Sequence, residues 1–222
     1  MLKRLVPALL LLCPVLAVAG DVPAVVSLPK PQTEGGMPLF HALRERHSTR
    51  EFDTAKLSPQ MLSNLLWAAD GVNRADGRRT APSARNEQET DIYLTTADGL
   101  YLYEPKEHRL RTILTEDIRG LAGQQDFVKT APLNLVYVAD YARTGSAPAE
   151  DKLMYSAAGV GFIAQNVYLF CASEGLVTVV RAMIDRPALA KAMKLRPDQH
   201  IVLSQTVGYP KKQAQTNADI RR

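Results

Sequence analysis

Arg46-His47-Ser48-Thr49-Arg50-Glu51-Phe52-Asp53 is the stretch on which the reading of this chain turns. Two guanidiniums, an imidazole and two hydroxyls fall between Arg46 and Arg50. Guanidiniums offer forked, planar donors and hydroxyls add more, a set suited to a phosphate or a polyhydroxylated chain rather than to a core. Taken alone, the segment is more often a solvated helix end whose cations favour the helix dipole.

Upstream, residues 38–46 read as a short helix with Leu39, Phe40 and Leu43 as its apolar stripe. Before it, residues 20–37 hold Pro23, Pro29, Pro31 and Gly35-Gly36 and read as an extended leader. Residues 1–19 have a basic start at Lys3-Arg4, an apolar run from Leu5 to Val18, and Ala17-Val18-Ala19 as a cleavage pattern. They read as a secretory signal peptide, so the expected location is exported and periplasmic, with no stable membrane span after cleavage. Cleavage removes Cys13 and leaves Cys171 as a small buried hydrophobe with no disulfide partner. It also lowers the formal charge of +4 by two, too little to point to nucleic acid.

Downstream, Ser58-Pro59 caps a second helix whose apolar residues Met61, Leu62, Leu65, Leu66 and Ala69 recur at helical spacing up to Gly71. Residues 72–86 form a polar loop with Arg74, Arg78, Arg79 and Arg85. Residues 90–96 alternate as a strand, Asp98-Gly99 turns a hairpin, and 100–103 return. Further strands are expected at 110–114, 133–139, 176–180 and 200–207, with helices at 116–125, 151–174 and 186–193. The helix at 151–174 is apolar on more than one side, which places it in the middle of a protein. Helices mixed with a hairpin predict an α+β fold. The domain is expected to span 38–212, with 213–222 a polar tail.

Several chemistries have no motif behind them. His41, His47, His108 and His200 lack metal-ligand spacing, so no metal site is expected. There is no phosphate-binding glycine loop and no nucleophile elbow. What remains beside Arg46–Arg50 is Pro82-Ser83-Ala84-Arg85-Asn86-Glu87-Gln88, whose hydroxyl, exposed amides and Asn86 carboxamide can read a heteroaromatic edge.

The two constellations in this order resemble the nitroreductase family of FMN-dependent oxidoreductases. Ala157-Ala158-Gly159, Gln165-Asn166-Val167-Tyr168-Leu169, Gly175-Leu176 and Val207-Gly208-Tyr209-Pro210 continue the likeness. The resemblance implies a central, mostly antiparallel sheet flanked by helices around a long buried central helix. It also implies a homodimer with FMN at the interface. Arg46, His47, Ser48 and Arg50 match positions that hold FMN phosphate, ribityl or pyrimidine-edge atoms. Pro82, Ser83 and Ala84 match the loop that the other subunit lays against the flavin, and Asn86 a polar contact to its ring. Val180, Arg181 and Ala182 match the backbone that passes the flavin N5 region. Lys211 and Lys212 match basic residues that reach the phosphate.

The family implies two-electron hydride transfer between the flavin and a small organic substrate, with the chemistry residing on the cofactor. NAD(P)H is the donor expected inside a cell; for an exported chain, a substrate that itself reduces the flavin is the other candidate. Ala182 stands where many relatives carry an acid, which motivates an alternative: a non-catalytic flavin or heteroaromatic ligand-binding protein on the same fold.

Overall fold

The computed structural model describes residues 24–211; the segment read as a signal peptide, the first residues of the leader, Lys212 and the tail lie outside the described residues. Seven strands form one sheet: β1 (Val25–Ser27), β2 (Thr90–Thr96), β3 (Gly99–Glu104), β4 (Arg109–Leu114), β5 (Leu133–Asp140), β6 (Val177–Arg181) and β7 (Gln199–Gly208). Their spatial order is β1-β4-β3-β2-β5-β7-β6, and every neighbouring pair is antiparallel. The helices are α1 (Leu39–Glu45), α2 (Pro59–Asp70), α3 (Ala149–Glu174) and α4 (Arg186–Ala192). The expected α+β class, antiparallel sheet and long central helix are all present.

Strand alternation sorts the core into two layers. Ile92, Leu94, Leu135 and Tyr137 face α2 and α3, meeting Leu65, Leu66, Val160, Ile163 and Val167. Tyr93, Val136 and Val138 face the other way, toward Leu189 and Met193 at α4. β5, buried along its whole length, is central to both layers. Local chemistry sets the element ends. The Ser58 hydroxyl accepts the Met61 N–H at 3.1 Å and Pro59 opens α2. Gly175 closes α3 with φ of +69°, a left-handed turn that glycine adopts without strain.

Three features depart from the sequence reading. The leader does not stand apart: β1 pairs with β4, and the chain then crosses α2. Ser63 donates to the Pro29 carbonyl at 2.6 Å, Gln60 to the Lys30 carbonyl at 3.0 Å, and Met37 N–H donates to Ser173 near the end of α3 at 2.8 Å. The helix expected at 116–125 is replaced by two short 3-10 turns, Arg119–Leu121 and Asp126–Lys129. Gly120 and Gly123 disfavour a continuous helix there, and Asp117 takes the Arg119 N–H for a local turn at 3.0 Å.

The third departure concerns faces. Leu39, Phe40 and Leu43 of α1 point outward, with Phe40 87% exposed; the buried residue of that helix is Ala42. α3 is covered on one side, by contacts to α2, β2, β6 and β7, while Leu153, Met154 and Phe162 on its other side are bare. A broad apolar surface on two touching helices is what periodicity reports as burial all round, because pattern alone does not say which chain supplies the cover. For the layer that is covered, Leu65 is the test. It is completely buried. Leu65→Ala is expected to lower the unfolding free energy by about 2–5 kcal/mol, measured by urea denaturation.

Candidate functional site

α1 ends at Glu45, and Arg46 turns the chain into an extended course with ψ of 115°. The segment that follows is pinned to the sheet. Thr49 N–H donates to the Thr178 carbonyl at 3.1 Å, Phe52 bridges to Pro210, and Asp53 N–H donates to the Tyr209 carbonyl at 2.9 Å. The Phe52 ring lies 5.4 Å from that of Phe127. Arg46 to Phe52 thus runs along the outer side of β6 and the end of β7, with its side chains held at defined places.

Those side chains are polar, mostly exposed and under-compensated. The Arg46 guanidinium lies 5.4 Å over the ring of Tyr168. Ser48 Oγ is 2.8 Å from Tyr168 Oη. His47 turns back, its Nδ1 donating to the Glu45 carbonyl at 2.7 Å. Arg50 is exposed, as is Lys211, which follows the Phe52–Pro210 bridge directly and so lies beside Glu51 and Arg50. Elsewhere arginines pair with acids: Arg79 with Asp70, Arg119 with Asp117, Arg143 with Asp91 and Arg196 with Asp140. Among the described residues, Arg46, Arg50 and Lys211 have no carboxylate partner. Guanidiniums and an ammonium that form no ion pair suit an anion.

The second constellation is a strained loop. Arg85, Asn86 and Gln88 have φ of 52°, 58° and 49°, left-handed values that non-glycine residues seldom adopt. Internal hydrogen bonds hold them. Ser83 Oγ accepts the Gln88 N–H at 2.9 Å, and the Gln88 carboxamide donates to Asn86 Oδ1 and to the Gly77 carbonyl, each at 3.1 Å. The Asn86 oxygen is therefore used within the loop, while its amide faces outward. The base of the loop is fixed by a buried ion pair, Arg79 to Asp70 at 2.6 Å. Burial lifts the Asp70 carboxyl to about 7, against the pull of Arg79.

Val180, Arg181 and Ala182 divide three ways. The Val180 N–H is occupied, donating to Tyr168 Oη at 3.0 Å. The Arg181 side chain turns to the opposite face of the sheet and away from the cradle. It donates to Thr206, Ser204, Asn134 and the Ala122 carbonyl at 2.8–3.3 Å and lies 5.5 Å over the Phe127 ring. Burial lowers its pKa to about 10. Its backbone pairs with Ser204 of β7. Ala182 is exposed just past the end of β6.

In one chain the two constellations stay apart. A cleft lined by His47, Thr49 and Thr178 abuts α3 at Tyr168, whereas one lined by Pro82, Ser83 and Gln88 abuts it at Gly159 and Ile163. Between five and nine residues of helix separate those points, about 8–13 Å along the axis. Lys212 lies outside the described residues. Sequence reading gave Tyr168 no role of its own, naming it within the Gln165–Leu169 likeness. Its signal was the phenol itself: a tyrosine in a buried stripe needs a partner for its hydroxyl.

The comparisons with known proteins agree with this geometry. The model of the Nitroreductase family matches residues 43–209. A protein of Methanocaldococcus jannaschii that carries the nitroreductase name is 37% identical over 151 residues, spanning 64% of this chain and 76% of that one. A crystal structure from Ralstonia eutropha, also described under that name, superposes with a TM-score of 0.83 at 45% identity, covering 87% of this chain and 93% of the other. A Desulfovibrio desulfuricans protein solved in complex with FMN shares the fold at a TM-score of 0.58 and 19% identity, covering 84% and 96%. With the motif pair, the sheet and the match over residues 43–209 all in agreement, the chain belongs to the nitroreductase family.

Proposed function

We propose that the protein is an FMN-dependent oxidoreductase that works as a homodimer, passing two electrons to or from a small organic substrate. What supports this reading is the set Arg46, Arg50 and Lys211, basic and without ion-pair partners among the described residues, carried with Ser48 on the segment along β6 and the chain end bridged to it. Such a set fits a phosphate-bearing cofactor with a polyhydroxylated chain. Arg46, Ser48, Arg50 and Lys211 would hold its phosphate, ribityl and pyrimidine-edge atoms. Asn86, whose amide faces outward, would meet the ring from the second subunit beside Pro82, Ser83 and Ala84. Bound FMN supplies hydride chemistry that no side chain of the protein offers.

The separation of the two constellations along α3 supports the dimer. So does the bare apolar surface of α1 and α3, where Leu39, Phe40, Leu153, Met154 and Phe162 are each about half exposed or more. The small residues Ala157, Ala158 and Gly161 on that side let a twin helix approach closely. The residues of the active site are thus divided between two copies, and a single chain holds half of each. For location we keep the exported, periplasmic reading, which amino-terminal sequencing of the protein purified from its cell would check. In that setting NAD(P)H and a substrate that reduces the flavin directly are the two donors to compare.

Purified protein is expected to carry a flavin spectrum or to acquire it on addition of FMN; a chain that stays colourless refutes the proposal. Flavin that binds but that no reductant reduces favours the non-catalytic binder instead. Arg50→Ala and Arg46→Ala each remove a charge-assisted contact worth about 1.5–3 kcal/mol, so FMN is expected to bind roughly 10- to 100-fold more weakly. Phe162→Glu is expected to turn the dimer into a monomer in analytical ultracentrifugation and to abolish FMN binding. Co-expressed Arg50→Ala and Asn86→Ala chains are expected to regain one intact site per heterodimer, and so bind FMN better than either parent.

A further inference from the structure

Tyr168 is 8% exposed and stands where α3, the Arg46–Phe52 segment and β6 converge. Its hydroxyl has two neighbours among the described residues. Val180 N–H donates to Oη at 3.0 Å, and Ser48 Oγ lies 2.8 Å away. The direction of the second bond follows by elimination. A phenol has one hydrogen to give, and a buried hydroxyl keeps that hydrogen bonded. The Val180 group is itself a donor and cannot receive it. The remaining acceptor is Ser48 Oγ, so Tyr168 donates and Ser48 accepts.

The serine is thereby left with its own hydrogen, and it is exposed. The bonds run one way: backbone N–H of Val180 to Tyr168, Tyr168 to Ser48, Ser48 outward. Each donor in such a chain polarises the next, which strengthens the terminal bond. We infer that Tyr168 is a positioning residue that orients the Ser48 hydroxyl, so that its own hydrogen is turned outward toward an acceptor atom on the bound cofactor. This rests on the flavin reading and deepens it. The phosphate, the ribityl chain and the pyrimidine carbonyls of FMN all offer such acceptors. A ligand that brought an N–H to the same point would leave the oriented hydrogen of Ser48 unused. The Tyr168 ring also seats the Arg46 guanidinium, so one side chain orients two members of the cradle.

The test is a double-mutant cycle on FMN affinity, read by quenching of flavin fluorescence. Ser48→Ala and Tyr168→Phe are each expected to weaken binding about 10-fold. In the Ser48→Ala background, Tyr168→Phe is expected to add less than about 2-fold, because it acts through the serine. Ser48→Thr, which keeps the hydroxyl, is expected to retain most of the affinity. Loss of the Val180 cap alone would weaken binding equally with or without Ser48, so additive effects overturn the inference. Unchanged affinity in Tyr168→Phe overturns it as well, as does an Ser48→Thr variant as weak as Ser48→Ala. A wild-type chain that binds no FMN overturns the flavin reading and this inference with it, whereas normal wild-type binding with any of the contrary results overturns the inference alone.

Discussion

The seating of α3 on the sheet is the contact from which the rest of the molecule takes its position. Val160, Ile163, Val167 and Cys171 lock one side of the helix against the central strands. Packing at interior density admits one such arrangement, so the helix serves as a rigid ruler. At one mark, Gly159 lies against the Glu89 and Thr90 side chains at the start of β2. At another, Tyr168 holds Ser48 and Arg46. Both constellations are placed by the same helix, and the distance between them follows from its rise.

Much of this was legible in the sequence, and the reasons are local. Ser58-Pro59 and Gly175 act through their own backbone preferences, and each stands where its chemistry says; the hairpin is present one residue earlier than read, with Ala97-Asp98 as its loop and Gly99 opening β3. β2 and β5 were readable because alternation and a buried apolar run are strand patterns in themselves. What escaped depends on partners distant in the chain. β1 is three residues long and is a strand only because β4 lies beside it. The exposed side of α1 looks identical in sequence to a buried one. The site was legible as a set of residue types, through Arg46, Ser48, Arg50 and Asn86. It was not legible as geometry, because nothing near Arg181 in sequence tells that its guanidinium crosses to the far side of the sheet.

That crossing gives Arg181 a structural office. A buried guanidinium without a carboxylate is unusual, since the desolvation of its charge must be met by neutral oxygens. Here Thr206 and Ser204 of β7, Asn134 of β5 and the Ala122 carbonyl supply them. One side chain therefore binds three adjacent strands to the turn-rich segment below. Directly above it lie Val180 and Ala182, the backbone expected to pass the flavin. The arrangement makes a stiff floor of what would otherwise be the frayed end of a short strand.

β6 is the last strand of the sheet, and two of its outward backbone groups are covered. The Thr178 carbonyl takes the Thr49 N–H, and the Val180 N–H is spent on Tyr168. A bare edge strand is a template on which other chains add themselves, the first step toward aggregation. The segment proposed to bind the cofactor thus shares with Tyr168 the guarding of that edge. Under the proposed function, selection on either role constrains the other, so drift toward a looser segment would expose a sticky margin of the sheet. Protection of the edge and the proposed ligand recognition, usually handled by different surfaces of a protein, would then meet in the eight residues from Arg46 to Asp53.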